Sequence, residues 1–156
     1  MPKRRILSES EFDRLARSIR ASRQKHGFLL TAWVFLPDPS ADDHAIFFPR
    51  HPLTISDVME SIKVSSTVRI NRSRKERGLL WQPRFFDRAL RTVKEYHEKV
   101  EYIPLNPVRA GLVRRAEDWA WSSVHDYVGG LASPPATKDI LVIDRVLLPA
   151  EERTRI

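Results

Sequence analysis

Three groups of side chains in this sequence are equipped to act on a phosphodiester. The first lies in Glu101–Val113, EYIPLNPVRAGLV, where Tyr102 stands four residues ahead of Asn106. A tyrosine hydroxyl is a covalent nucleophile that can attack a phosphodiester and leave a phosphotyrosine link. Positions four apart share a helical face, so Asn106 could help Tyr102 arrange one site. A plainer reading fits the same residues. Asn106-Pro107 has the form of an N-cap followed by proline at the first helical position, and Tyr102 would then be an ordinary packing residue. The second group is Asp42 and His44, at the start of an expected strand, where alternation with period two turns both to one side. Carboxylate and imidazole together could hold a divalent metal that polarises a phosphodiester. Equally, Asp42 and Asp43 are turn residues by type, with His44 at a hairpin edge.

The third group is the run Arg69–Arg77, RINRSRKER, which supplies Arg69, Arg72, Arg74, Lys75 and Arg77. Counterion release makes such a patch a nucleic-acid contact, although a solvated helix end has the same composition. Lys63, Arg84, Arg88, Arg91 and Arg109 carry the charge beyond the run and favour a binding surface. Trp81, Phe85 and Phe86 lie among them; unpaired bases stack on such rings, but rings are more often core. Trp119 and Trp121 flank a helix start at Ser122 or Ser123 and read as packing and capping residues.

The elements that must position these groups follow from local signals. Ser8 with Glu11 forms a capping box, and Phe12, Leu15, Ala16 and Ile19 continue on one face until His26-Gly27 closes the helix. Phe28–Phe35, FLLTAWVF, is a buried strand by composition. After the turn-rich Leu36–Asp43, His44–Phe48 pairs with it as a hairpin. A second helix starts at Thr54 or Ser56, buries Ile55, Val58, Met59 and Ile62, and runs into the arginine cluster, which ends at Gly78. Leu79–Leu90 suggests an irregular segment and then a strand. Thr92 with Glu95 opens a helix whose inward face is Val93, Tyr96, Val100 and Ile103, and Gly111 closes the short turn after Pro107. The order predicts an α+β domain with helices on a mostly antiparallel sheet.

The whole chain bounds the partners. Its 156 residues fit one compact domain, and 27 Lys+Arg against 20 Asp+Glu leave a net charge of +7, suited to a polyanion such as nucleic acid. The absence of cysteine removes disulfides, thiolate nucleophiles and zinc ribbons. MPKRRILSESEF lacks the apolar run of a signal peptide, and no segment approaches the roughly 20 apolar residues of a membrane span. A cytoplasmic location is expected.

Taken in order, FLLTAWVFLPD, HAIFFP, LLWQPRFFDRALR, EYIPLNPVRAGLV and DWAWSSVHDY resemble the REP-associated tyrosine transposases, of the single-tyrosine HUH superfamily, over roughly Ser8 to Tyr127. The resemblance implies a ferredoxin-like domain, residues 1–128, that processes single-stranded DNA with imperfect REP-like hairpins, followed by an extension, residues 129–156. It further implies a 5′-phosphotyrosine intermediate on Tyr102, with Mg2+ or Mn2+ held by His44 and Asn106. Three departures stand out. Where relatives read Pro-Asp-His-x-His, this chain reads Pro37-Asp38-Pro39-Ser40-Ala41-Asp42-Asp43-His44, so Asp42 takes the place of the first histidine, and carboxylate oxygen is a hard-metal ligand. Pro104 stands where relatives often carry histidine. The usual first strand is missing, with Ile140–Val146 as a candidate replacement for the exposed edge. These departures keep an alternative in view, a relative that binds hairpin DNA without cutting it; a basic RNA-binding domain is a third.

Overall fold

A computed structural model describes residues 7–37, 44–78, 80, 90, 92–128 and 141–144. The first helix, α1, runs Glu9–His26, with the Ser8–Glu11 capping box in place and Gly27 at φ 71° ending it. Glycine adopts that left-handed conformation without a Cβ penalty. The chain then turns into strand β1, Leu29–Val34, which pairs antiparallel with β2, His44–Phe48. The expected hairpin is therefore present. Its register shifts between Leu30 and Ala32, and the extra residue changes which side chains face which way. Phe28 and Leu30 before the shift, and Trp33 and Phe35 after it, all join one core.

Helix α2, Ile55–Arg74, starts from Thr54 in a capping box with Asp57. It stops short of Gly78. Lys75 is left-handed at φ 56°, its N–H bonds back to Arg72 and Asn71, and the Asn71 amide donates to the Gly78 carbonyl at 2.8 Å. The helix end is thus sealed by its own polar groups, and the basic run continues into a loop. Helix α3, Val93–Tyr102, opens on Thr92, whose side chain accepts from the Glu95 N–H. A 3-10 turn, Ile103–Leu105, and helix α4, Asn106–Arg109, follow directly. Asn106 has φ −58° and ψ −41°, so it is helical and not the N-cap that its Asn-Pro form suggested. Pro104 explains the switch, since proline cannot donate the hydrogen bond that would extend α3. Gly111 closes the segment at φ 73°. Helix α5, Val124–Val128, comes last, with the Ser122 hydroxyl accepting from Val124 N–H at 3.2 Å.

The sheet divides the core into two layers. Phe12, Leu15 and Ile19 of α1 pack with Val58, Ile62 and Ile70 of α2 against Leu30, Trp33 and Phe35. On the other face, Ile103 packs with Ala32, Val34, Leu36 and Ile46, flanked by Phe48, Tyr96 and Val100. The free edge of β1 is closed by single contacts. Trp33 N–H donates to Ser123 Oγ at 2.9 Å, Ser123 N–H donates to the Trp33 carbonyl, and Phe35 N–H donates to the Trp121 carbonyl. At the strand's other end, Asp144 N–H donates to the Leu30 carbonyl at 2.7 Å and its carboxylate accepts from Leu30 N–H at 2.9 Å. Leu141 and Ile143 are buried while Val142 is exposed. Of the expected Ile140–Val146 replacement, the described residues 141–144 meet β1 at Leu30 and alternate as a strand does, without a ladder. Among the described residues the sheet has two strands, and the molecule is an α+β domain. The strand expected within Leu79–Leu90 falls outside the described residues, apart from its ends.

Candidate functional site

Tyr102 is placed by its neighbour. Ile103 is fully buried against the hairpin, and this anchor leaves Tyr102, the last residue of α3, half-buried at the rim. Two cations lie against its ring. The Arg109 guanidinium carbon is 4.0 Å from the ring centroid, and Lys99 Nζ is 4.8 Å away. Lys99 is one helical turn before Tyr102 and Arg109 two turns after, so the nearly continuous helical path brings both to the same face. Cations over an aromatic face contribute about 0.5–1 kcal/mol at exposed sites. Sequence reasoning points to Arg109 but missed Lys99, although the three-residue spacing on a helix was a usable signal.

Asn106 is buried, and its Nδ2 donates to the Ile103 carbonyl at 3.1 Å. The bond commits the amide nitrogen and leaves Oδ1 as the acceptor of this side chain. An amide oxygen is a hard donor of the kind Mg2+ and Mn2+ accept, so the donor chemistry at this position fits such an ion. His44 begins β2 opposite Val34. By the period of two its position is in phase with Ile46 and Phe48, both on the layer that Ile103 covers. The His44 side chain and the whole of Asp42 lie outside the described residues. Among the described residues, no three His, Asp or Glu side chains gather as a metal site.

The basic residues of α2 and of the loop after it lie apart from Tyr102. Arg69, Arg72 and Arg74 belong to α2, with Lys75 and Arg77 in the loop after it, and α2 packs on the opposite face of the sheet. Arg72, Lys75 and Arg77 are exposed and Arg69 is half-buried. Lys63, also on α2, is half-buried, and burial holds its ammonium below the usual lysine value. Arg74 serves the fold instead. Its Nε bonds Glu11 Oε2, and its Nη2 donates to Glu11 Oε1 at 2.8 Å. Burial pushes the Glu11 carboxyl up, but Arg74 and the hydrogen bonds from Ser8 outweigh it and hold the group below its ordinary value. Arg84, Arg88 and Arg91 fall outside the described residues, as do Trp81, Phe85 and Phe86. Trp119 and Trp121 are packing residues as expected, with Trp119 Nε1 donating to the Phe35 carbonyl at 2.9 Å.

No family model matches the chain. Individual proteins do. It is 31% identical over 131 residues to the REP-associated tyrosine transposase of Escherichia coli K12, covering 83% of this chain and 74% of that protein. A Haemophilus influenzae candidate of the same name is 36% identical over 55 residues, 35% of this chain and 31% of that protein. Among solved structures, a REP-associated tyrosine transposase bound to a REP hairpin superposes with a TM-score of 0.68 at 27% identity, covering 94% of this chain and 87% of the other.

Proposed function

The chain belongs to the REP-associated tyrosine transposases, and we propose that it cleaves and joins single-stranded hairpin DNA with Tyr102 as nucleophile. The observation that carries this reading is the surround of Tyr102: a half-exposed phenol between Lys99 and Arg109, one turn ahead of the oriented amide of Asn106. In the proposed reaction the Tyr102 oxygen bonds to phosphorus as the 3′-oxygen of the neighbouring nucleotide leaves, giving a 5′-phosphotyrosine. A 3′-hydroxyl attacking that phosphorus then restores a phosphodiester and frees the tyrosine. Arg109 and Lys99 supply positive charge where the phosphate would approach, which is the electrostatic support such a transition state needs.

Asn106 and His44, with Asp42 two residues before His44, would hold Mg2+ or Mn2+. The ion supplies Lewis-acid polarisation of the scissile phosphate when bound. Arg69, Arg72, Lys75 and Arg77, together with Lys63, Arg84, Arg88 and Arg91, would contact phosphates further along the hairpin. The alternative is a relative that grips hairpin DNA without cutting it. It draws on the sequence Asp42-Asp43-His44, where the family's first histidine is replaced.

A labelled hairpin incubated with the protein and Mn2+ or Mg2+, then run on a denaturing gel, separates the two. A covalent adduct that disappears in Tyr102→Phe is the expected result. Hairpin binding with no adduct under either metal would sink the nuclease reading and leave the binding protein.

A further inference from the structure

Granted the hairpin-processing function, we propose that Asn71 locks the end of α2 into a preformed clamp whose basic side chains select a DNA hairpin over an unpaired strand. Among the described residues, α1, α2 and α4 each give way to a residue in the left-handed conformation. After α1 it is Gly27 at φ 71°, and after α4 it is Gly111 at φ 73°, where a side chain would be strained. After α2 it is Lys75, at φ 56°. The hydrogen bonding at the last two ends is the same. Gly111 N–H donates to the Val108 carbonyl and Leu112 N–H to the Pro107 carbonyl; Lys75 N–H donates to the Arg72 carbonyl and Glu76 N–H to the Asn71 carbonyl. Glycine, or at times asparagine, fills the left-handed position of this motif. A lysine there costs stability that a single substitution would recover, and a retained cost of this kind points to function.

A second cost lies in the same turn. Asn71 is 8% exposed. Its Nδ2 donates to the Gly78 carbonyl at 2.8 Å, while its Oδ1 is buried without a partner among the described residues. A buried acceptor left unpaired destabilises a fold, so the amide is kept for its bond to Gly78. That bond ties the far end of the turn back to the helix. Arg74 ties the near end, through both oxygens of Glu11 in α1. Between the two ties, Arg72, Lys75 and Arg77 stand exposed on a backbone that is fixed before DNA arrives. A fixed array avoids the cost of ordering on binding. The advantage is greatest against a stem, whose phosphates are fixed as well. An unpaired strand bends to follow a fixed or a loose array alike, and gains less.

Filter binding of a DNA hairpin and of oligothymidine, beside urea denaturation of the same chains, tests the clamp. The unaltered chain should prefer the hairpin. Asn71→Ala keeps every basic group, yet should lower that preference about fivefold with oligothymidine affinity nearly unchanged. Lys75→Gly should move the urea midpoint upward while weakening hairpin binding and reducing its salt slope by about one. Circular dichroism verifies that each variant is folded; should Asn71→Ala fail to fold, Lys75→Gly decides alone. A folded Asn71→Ala that keeps the full preference overturns the clamp. So does a Lys75→Gly that loses stability, or one that gains it with hairpin affinity intact. An unaltered chain that binds the hairpin no tighter than oligothymidine overturns the proposed function and the clamp with it, whereas a hairpin preference untouched by either variant overturns the clamp alone.

Discussion

At the scale of single residues, the molecule separates groups fit for chemistry from groups that hold it together, and the two sets look alike in sequence. Arg109 and Arg74 both belong to a basic background; one lies over Tyr102 and the other clamps Glu11. Arg109→Ala should leave the fold nearly unchanged, at a cost of about 1 kcal/mol or less, while lowering adduct yield and reducing the salt slope of hairpin binding by about one. Filter binding across a salt series would reveal it. Glu11→Gln should behave in the opposite way. It keeps the shape of the cap but leaves Arg74 without its counter-charge, so urea denaturation should show a loss of about 2–3 kcal/mol. The pH response follows from the same pair. A carboxyl held below its ordinary value stabilises the fold while ionised, so this contribution is present above the ordinary glutamate range and is lost as pH falls through the depressed value. Once the pH lies below that depressed value, the unaltered chain and Glu11→Gln should therefore converge in stability. The capping role of Glu11 was legible because it is local. Its tie to Arg74 spans 63 residues, and no short-range pattern reports such a pair.

At the scale of elements, the caps and the β1–β2 hairpin were legible and the path through Tyr102–Arg109 was not. Ser8, Thr54 and Thr92 open their helices as their spacing implied, since a cap depends on three or four neighbouring residues. Asn106-Pro107 has two local solutions, and tertiary packing chose between them by burying Ile103 and Asn106. The 3-10 turn has a geometric consequence. It advances about 120° per residue where an α-helix advances about 100°, so three residues rotate Asn106 roughly 60° further around the axis. Pro104→Ala allows α3 to run on in α form and removes that offset. The expected outcome is a rise in helical circular dichroism with a several-fold drop in adduct. Equal adduct with raised helicity would dissociate Asn106 from the reaction. The edge of β1 gives a second test at this scale. Ser123→Ala strips a buried Trp33 N–H of its acceptor, which should cost about 1–3 kcal/mol in chemical denaturation.

For the whole molecule, the hairpin is a partition with Tyr102 on one side and the arginine run of α2 on the other. A composition count could report the positive charge, but not that it divides between two faces, because that division depends on which strand face each helix covers. No helix among the described residues is long and apolar enough to cross a membrane, in line with the sequence. Separation of the faces predicts separable effects. Arg77→Ala should weaken hairpin affinity, yet the adduct formed per bound complex should stay constant, as a gel-shift run beside a denaturing gel would reveal. Removal of residues 140–156 has a different expected signature. It takes Leu141 and Ile143 from the α1/α2 core and Asp144 from Leu30, so the shortened chain should melt lower and associate through the bared strand edge.

The bond between Leu30 and Asp144 also sets a clock. The two residues are 114 positions apart, and at about 5–20 residues per second a ribosome needs roughly 6–23 s to travel from one to the other. Once β2 has been made, β1 has its hairpin partner, but for the rest of that interval it lacks the clasp at Leu30. Neighbouring ribosomes on one message would then present open strands side by side. An open strand edge templates pairing with another chain, so slowing initiation, which spaces nascent chains further apart, should raise the soluble fraction recovered on expression.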